Sequence, residues 1–306
     1  MQNRRTFIKN SGSLLLGSLA VSGGASSLFS SGPTHPVGVQ LFTFFNSIDN
    51  DVAGTLKKIA AVGYKEIESA FSRKGGYYGL KAKEFAALVK ESGMSWKSHH
   101  TIGAPFKMPP NAKPPVDANG KPISIPPMRN LKDNYQELID EVAEAGIPYL
   151  VCASTPITTL DEVKGSIEVL NKAGEAAKKA GITLAYHNHD KEFVAVEGQK
   201  PYDVFLKQST PDNLKFELDL AWATKAGVDI VELFKQNSGR FPLLHVKDID
   251  KDGKIQPVGN GIVDFKNIFA NAKVAGVQHY FVEHDMPADA IASITTSYGN
   301  LEKLLG

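Results

Sequence analysis

Leu243-Leu244-His245-Val246-Lys247-Asp248 is a short apolar run that ends in three ionisable side chains. Read as a β-strand, it places alternate side chains on one face. His245 and Lys247 then point one way, and Leu244, Val246 and Asp248 the other. A buried strand with a His and a Lys on one face needs partners for them. Three other runs share the design. Phe216-Glu217-Leu218-Asp219 pairs Glu217 with Asp219, and Phe281-Val282-Glu283-His284-Asp285 pairs Glu283 with Asp285. Ala185-Tyr186-His187-Asn188-His189 pairs His187 with His189. Four consecutive strand-like runs therefore end in groups able to ligate a metal or move a proton.

Outward from these runs the chain alternates strand and helix. Strands are expected at 37–42, 64–69, 94–100, 149–153, 183–189, 214–219, 241–248 and 278–285. Helical periodicity follows each one, as in Val52, Leu56, Ile59 and Ala60 before Gly63. The strands are apolar rather than cleanly alternating, as parallel strands buried on both faces are. Eight such units predict an α/β fold, a single-domain (β/α)8 TIM barrel over residues 33–306. No Gly-rich dinucleotide fingerprint follows a strand, which argues against an open doubly wound sheet. The Pro-rich stretch from Thr101 to Met128 is too long for a routine connection and is expected to act as a lid or an oligomer interface.

The chain of 306 residues has a formal net charge of +1 and 42% hydrophobic residues. That balance gives no argument for nucleic acid or an anionic membrane surface. Cys152 is the only cysteine, so an intrachain disulfide and a cysteine zinc cluster are excluded, and its apolar neighbours mark it as core. Residues 1–32 read as a targeting segment. Asn3-Arg4-Arg5-Thr6-Phe7-Ile8-Lys9 is similar to the twin-arginine export motif, and an uncharged Leu-, Gly-, Ser- and Ala-rich run follows. That run is weak for a membrane span and fits a signal h-region. The expectation is a protein exported to the periplasm without a stable membrane anchor.

In a barrel the active site lies at the C-terminal ends of the strands. The ionisable residues collect there: Glu66 and Glu68, His99 and His100, His187 and His189, Asp219, His245 and Lys247, Glu283 and Asp285. Asp219, His245 and Glu283 are expected to converge as a mixed O/N site for Mn, Co, Zn, Fe or Mg, with His187 or His189 as fourth ligand. A hydrogen-bonded polar core is the alternative use of the same groups.

Several motifs together carry a family resemblance. They are Gly63-Tyr64-Lys65-Glu66-Ile67-Glu68, Tyr186-His187-Asn188-His189, Glu217-Leu218-Asp219, His245-Val246-Lys247-Asp248, Gly259-Asn260-Gly261-Ile262-Val263-Asp264-Phe265 and Val282-Glu283. With them the chain from 36 to 306 resembles the xylose isomerase-like TIM barrels, also called sugar phosphate isomerases/epimerases. The resemblance implies a divalent metal held by Glu, Asp, His and Glu at the ends of strands five to eight. By position Asp219, His245 and Glu283 match, and His187 stands where the family has its first Glu. In the family's epimerases that Glu and the last Glu are the two bases flanking the sugar carbon. The replacement keeps a ligand but removes a carboxylate, which argues against simple two-carboxylate epimerisation. The Tyr-His-Asn-His form resembles inosose dehydratase and exported relatives acting on keto-sugars.

The resemblance thus implies a metal-dependent isomerase/epimerase or lyase acting on a small carbohydrate. Its chemistry would be proton abstraction beside a carbonyl and stabilisation of the enediolate by the metal. Glu283, His187 and His189 are the candidate bases. Lys247 would hold a substrate oxygen, or pair with a barrel carboxylate. Glu68, His100 and Trp222 are assigned to substrate binding. Glu68 would also orient a neighbouring site residue, Trp222 would stack on a sugar or pack its helix, and His99, on the opposite face, is structural. Two competing readings are a non-catalytic exported sugar-binding barrel and an endonuclease-like phosphodiesterase. The near-neutral charge and the export motif argue against the second.

Overall fold

The computed structural model describes residues 36–107 and 127–305. The twin-arginine-type segment and residues 108–126 of the Pro-rich stretch lie outside the described residues. Eight parallel strands close a barrel in the order β1 (Val37–Gln40), β10 (His279–Val282), β7 (Leu243–Val246), β6 (Lys215–Asp219), β5 (Thr183–His187), β4 (Tyr149–Ser154), β3 (Ser95–Ile102) and β2 (Glu66–Ser69). The remaining two strands, β8 (Asp248–Ile249) and β9 (Ile255–Gln256), form a small antiparallel hairpin.

Around the barrel run α1 (Val52–Val62), α2 (Ala82–Glu91), α3 (Leu131–Glu144), α4 (Leu160–Lys179), α5 (Pro201–Gln208), α6 (Leu220–Lys225), α7 (Ile230–Gln236), α8 (Phe265–Ala270), α9 (Ala272–Ala275) and α10 (Ala290–Leu305). Helix starts are set by short polar side chains. Asp51, Asn130, Thr159, Asp229 and Asp264 each accept a hydrogen bond from a backbone N–H of the first turn. None of the helices among the described residues is long and apolar enough to cross a membrane.

The strand ends differ from the sequence expectation. Strands five, seven and eight stop before His189, Lys247 and Glu283, which sit on the first residues of the loops. The segment over 221–236, expected to be helical with a break at Gly227, is two helices on either side of that glycine, while the helix expected over 264–275 is parted at Asn271. The hairpin was not foreseen. It exists because Asp248 turns away from the barrel. There its carboxylate accepts from the N–H groups of Ile249 (2.9 Å), Gly259 (2.9 Å), Gly261 (2.8 Å) and Val263 (3.2 Å). Four backbone donors on one buried carboxylate tie the whole 249–263 loop to the end of β7. Gly261 is required there, since a Cβ would lie 2.2 Å from Asp248 Oδ1.

Inside the barrel the side chains stack in layers. A lower layer is apolar, with Tyr149, Val151, Ala185, Leu243 and Phe281 in mutual contact. Phe281 lies across Gly38, where a Cβ would stand 2.4 Å from its ring. Above this plug Glu68, His100, His187, Glu217 and His245 from β2, β3, β5, β6 and β7 are all buried and ionisable.

Candidate active site

Each site residue is placed by its neighbours before it does any chemistry. Asp219 ends β6 and caps α6, its Oδ1 accepting from Trp222 N–H at 2.9 Å. Oδ2 is thereby left over for the barrel. Asn188 accepts from the Asp219 N–H at 3.1 Å, so the residue between the two strand-five histidines locks β5 to β6. Buried Glu192 accepts from Tyr186 O–H at 2.8 Å and from His189 N–H at 2.9 Å. Register does the rest: Asp219 lies beside His245, and His245 beside Phe281, two residues before Glu283.

Two linked clusters result. The inner one holds Glu68, His100, His187, Glu217 and His245. His245 Nε2 is 2.5 Å from Glu68 Oε1 and 3.1 Å from Glu217 Oε2. His100 Nε2 is 2.7 Å from Glu217 Oε2 and 3.1 Å from Glu68 Oε1. His187 Nδ1 is 3.1 Å from Glu217 Oε2. Gln40 donates to Glu68 at 2.8 Å. Burial drives the two carboxyls upward, but they part company. The imidazoles of His100 and His245 more than offset burial at Glu68 and hold it well below its usual range. Glu217, buried beside Glu68, is pushed well above its usual range. Burial, then His245, keeps His187 neutral. Burial would also discharge His245, yet Glu217, Glu283 and Glu68 raise it to about 10.

The outer cluster is built on Lys247, whose Nζ lies 2.6 Å from Glu283 Oε2, 3.2 Å from Asp219 Oδ2 and 3.0 Å from Asp285 Oδ1. Glu283 Oε2 also meets His245 Nδ1 at 3.0 Å. Burial opposes the Lys247 charge, but Asp219, Glu283 and Asp285 hold the ammonium well above its usual range. Conversely, Lys247 and His245 overcome burial and keep Glu283 ionised at all ordinary pH. Asp285 is raised to about 6 by burial and by Glu283.

The donor set fits a divalent cation. Asp219, His245 and Glu283 offer ligand atoms all within 4.8 Å of one another. Asp219 Oδ2 is buried with no directed hydrogen bond, although Lys247 is within ion-pair distance. Two carboxylates and an imidazole suit Mn, Co, Zn, Fe or Mg. His187 is drawn into a second group with His100, Glu217 and His245. His189 stands apart, its side chain 44% exposed and 4.0 Å from Glu192. Trp222 lies behind Lys247, its ring centre 5.3 Å from Nζ. Glu68 lies fully buried beneath the floor. His99 turns outward to Ser69 Oγ at 2.8 Å. Gln40 and Glu192 were not singled out from the sequence as site residues, and Glu217 and Asp285 were given no individual role. Strand parity already placed Glu217 with Asp219 and Asp285 with Glu283.

Above the clusters opens a cavity of about 290 Å³. On the β5–β10 side it is lined by His187, His189, Lys247, Glu283 and Asp285. On the β1–β4 side, Phe42, Phe71, Ile102, Met128 and Leu138 supply much of the wall. An ionised carboxylate, a cation beside it and a neutral imidazole thus share one partly enclosed space, an arrangement that can move protons at carbon next to a carbonyl.

The xylose isomerase-like TIM barrel family matches residues 56–301. Inosose dehydratase from Geobacillus thermodenitrificans is 24% identical over 156 residues, 45% of this chain and 52% of that protein. Inosose dehydratase from Clostridium perfringens is 31% identical over 129 residues, 36% of this chain and 42% of the relative. The chain therefore spans about half, or less, of the curated relatives it matches. A solved sugar phosphate isomerase/epimerase from Parabacteroides distasonis superposes with TM-score 0.71 at 27% identity, covering 94% of this chain and all of that one. With a closed eight-stranded parallel barrel and a family match over most of its length, the chain belongs to the xylose isomerase-like TIM barrel family.

Proposed function

We propose that this protein is a sugar-modifying enzyme that removes a proton beside the carbonyl of a sugar or keto-sugar and then isomerises it or eliminates a leaving group. The observation that carries the reading is the pair Glu283 and Lys247, 2.6 Å apart at the cavity floor. Glu283 is ionised and can accept a proton from carbon. Lys247 is cationic and can hold the oxygen on which negative charge develops. His187, kept neutral by burial, faces the same space from β5, three strands round the barrel from β10, and can return a proton to a different carbon. Asp219, His245 and Glu283 would hold a divalent cation, which when bound polarises the carbonyl and steadies the charge on the oxygens. His187 in place of a second carboxylate favours isomerisation or elimination over symmetric epimerisation. The similarity to inosose dehydratases supports a carbohydrate substrate.

The test is proton exchange into candidate keto-sugars in deuterated water. Wild type should exchange the carbon-bound proton next to the ketone, and Glu283→Gln should lose at least a hundredfold of that rate. Equal exchange by both proteins removes Glu283 from the chemistry. We also propose export in folded form. Arg4→Lys with Arg5→Lys should keep the protein in the cytoplasm, and unchanged periplasmic delivery defeats that proposal.

A further inference from the structure

The cavity has two unlike halves. All five lining residues from the β5–β10 side are ionisable, whereas the facing side carries an apolar wall that includes Phe42, Phe71 and Ile102, set beside His99, His100 and Arg129. That apolar side is braced. The rings of Phe42 and Phe71 line the cavity with centres 5.6 Å apart, and Phe45 packs against both at 5.1 and 5.4 Å. Arg73 covers the outer face of Phe45, 4.4 Å from its ring centre, and donates to Asn46 Oδ1 at 2.7 Å. Three interlocked rings under a guanidinium form a stiff surface, not a loose hydrophobic fringe.

A free sugar is polar on every edge and has no use for such a wall beyond one stacked face. A phosphorylated sugar fits worse. Among the described residues, the Lys and Arg side chains that line the cavity both stand among carboxylates, Lys247 beside Asp219, Glu283 and Asp285 and Arg129 beside Glu137 and Glu141, and with Lys247 holding the reacting oxygen no lining Lys or Arg is left over for a phosphate. A phosphate would meet more negative charge than it brings relief from. The ligand that satisfies both halves is polar at one end and apolar at the other.

We infer that the substrate is an unphosphorylated keto-sugar carrying an apolar, ring-sized aglycone, with the sugar over Glu283 and Lys247 and the aglycone against Phe42 and Phe71. The inference rests on the proposed proton abstraction and names the substrate for it. No oxidant or reductant is involved in seating the ligand.

The experiment uses a panel of 3-keto-hexopyranosides, each as its methyl and its benzyl glycoside, with the full-length protein as purified. Methyl and benzyl alcohols are similar leaving groups, so a difference within a pair reports on binding of the ring. Exchange of the proton beside the ketone is followed in deuterated water. For whichever sugar exchanges, the benzyl glycoside should show kcat/KM at least tenfold above the methyl one, the effect expected from burying most of one phenyl ring. Phe71→Ala should cut that advantage to about twofold or less, lowering kcat/KM for the benzyl glycoside by a larger factor than for the methyl one. Phe71→Leu, which keeps the wall filled, should retain part of it. Equal rates within the pairs, or a Phe71→Ala loss of the same factor for both glycosides, overturns the aglycone assignment and leaves the proton chemistry standing. Exchange with no member of the panel overturns both.

Discussion

Glu68 holds His245 from beneath, with Glu68 Oε1 2.5 Å from His245 Nε2 and both side chains fully buried. The contact decides which nitrogen is free for the site. With Nε2 turned to Glu68, Nδ1 faces Glu283 at 3.0 Å and Asp219 at 3.9 Å. A carboxylate behind a ligating imidazole fixes ring orientation and raises its basicity. Glu68→Gln is therefore expected to lower divalent cation affinity about 10–100-fold with the barrel still folded. Titration calorimetry with Mn²⁺ measures it, and an unchanged affinity would mean that Glu68 serves stability alone. Glu68→Ala should instead destabilise by about 3–5 kcal/mol, since it strands buried charge.

Asp219 has two jobs that a choice of substitution separates. Oδ1 caps α6 and Oδ2 faces the site. Asp219→Asn should keep the cap and weaken only the ligand, whereas Asp219→Ala should lose both, the cap alone being worth about 1 kcal/mol. If Asp219, His245 and Glu283 bind the cation, wild type gains about 2.7 kcal/mol of stability at cation concentrations 100 times Kd. The corresponding rise in Tm should vanish in Asp219→Asn and in His245→Ala. A full cation-dependent rise in both variants removes this ligand set.

His99 supplies an acid sensitivity independent of the cation. Burial, then the neighbouring His100 and Arg129, hold its imidazole down at about 3, well under its ordinary value of 6.5. Above pH 6.5 it is neutral in both folded and unfolded chains and contributes no slope. Below 6.5 the unfolded chain takes up a proton that the folded chain refuses, so stability is lost as pH falls from 6.5 toward 3. Between pH 6.5 and 5 the loss from this group is roughly 2 kcal/mol. Urea midpoints at pH 7 and pH 5 should differ less for His99→Gln than for wild type. Parallel pH dependences in the two proteins would show that the ring titrates freely.

Asp248 carries the loop that follows Lys247. Asp248→Ala leaves four backbone donors without their acceptor, of which those of Ile249 and Val263 are buried, at about 1–3 kcal/mol each for those that water cannot reach. Amide exchange should accelerate over 257–263 before it does in the strands. Asp248→Asn keeps an acceptor and should lose less. If protection over 257–263 survives Asp248→Ala, the loop is held by something other than this carboxylate.

Fold and site were unequally legible. Strand parity put His245 with Lys247, Glu217 with Asp219 and Glu283 with Asp285 on shared faces, and the barrel places them so, because that rule is local. What parity lacks is the partner. Glu217 meets His100 from 117 residues away and His245 meets Glu68 from 177, contacts that depend on how far each strand is staggered around the barrel. The wall of Phe42, Phe45 and Phe71 escaped for the same reason, as its rings come from the short 3-10 helix that follows β1 and from the loop that follows β2. Asp248 was read as the outward residue of a strand. Its real partners, the N–H groups of a Gly-rich loop, carry no side-chain signal at all.

The plug of Val151, Ala185, Leu243 and Phe281, with Phe281 lying over Gly38, makes the site a blind shaft. Whatever reaches Glu283 arrives through the mouth and must leave by it. A cation at Asp219, His245 and Glu283 would sit at the bottom, below any bound sugar. On that reading the cation would load first and the sugar second, and neither cation nor water would be exchanged from behind while the sugar is in place. Bound substrate should act as a stopper, and cation loss should be slowest when the enzyme is busiest.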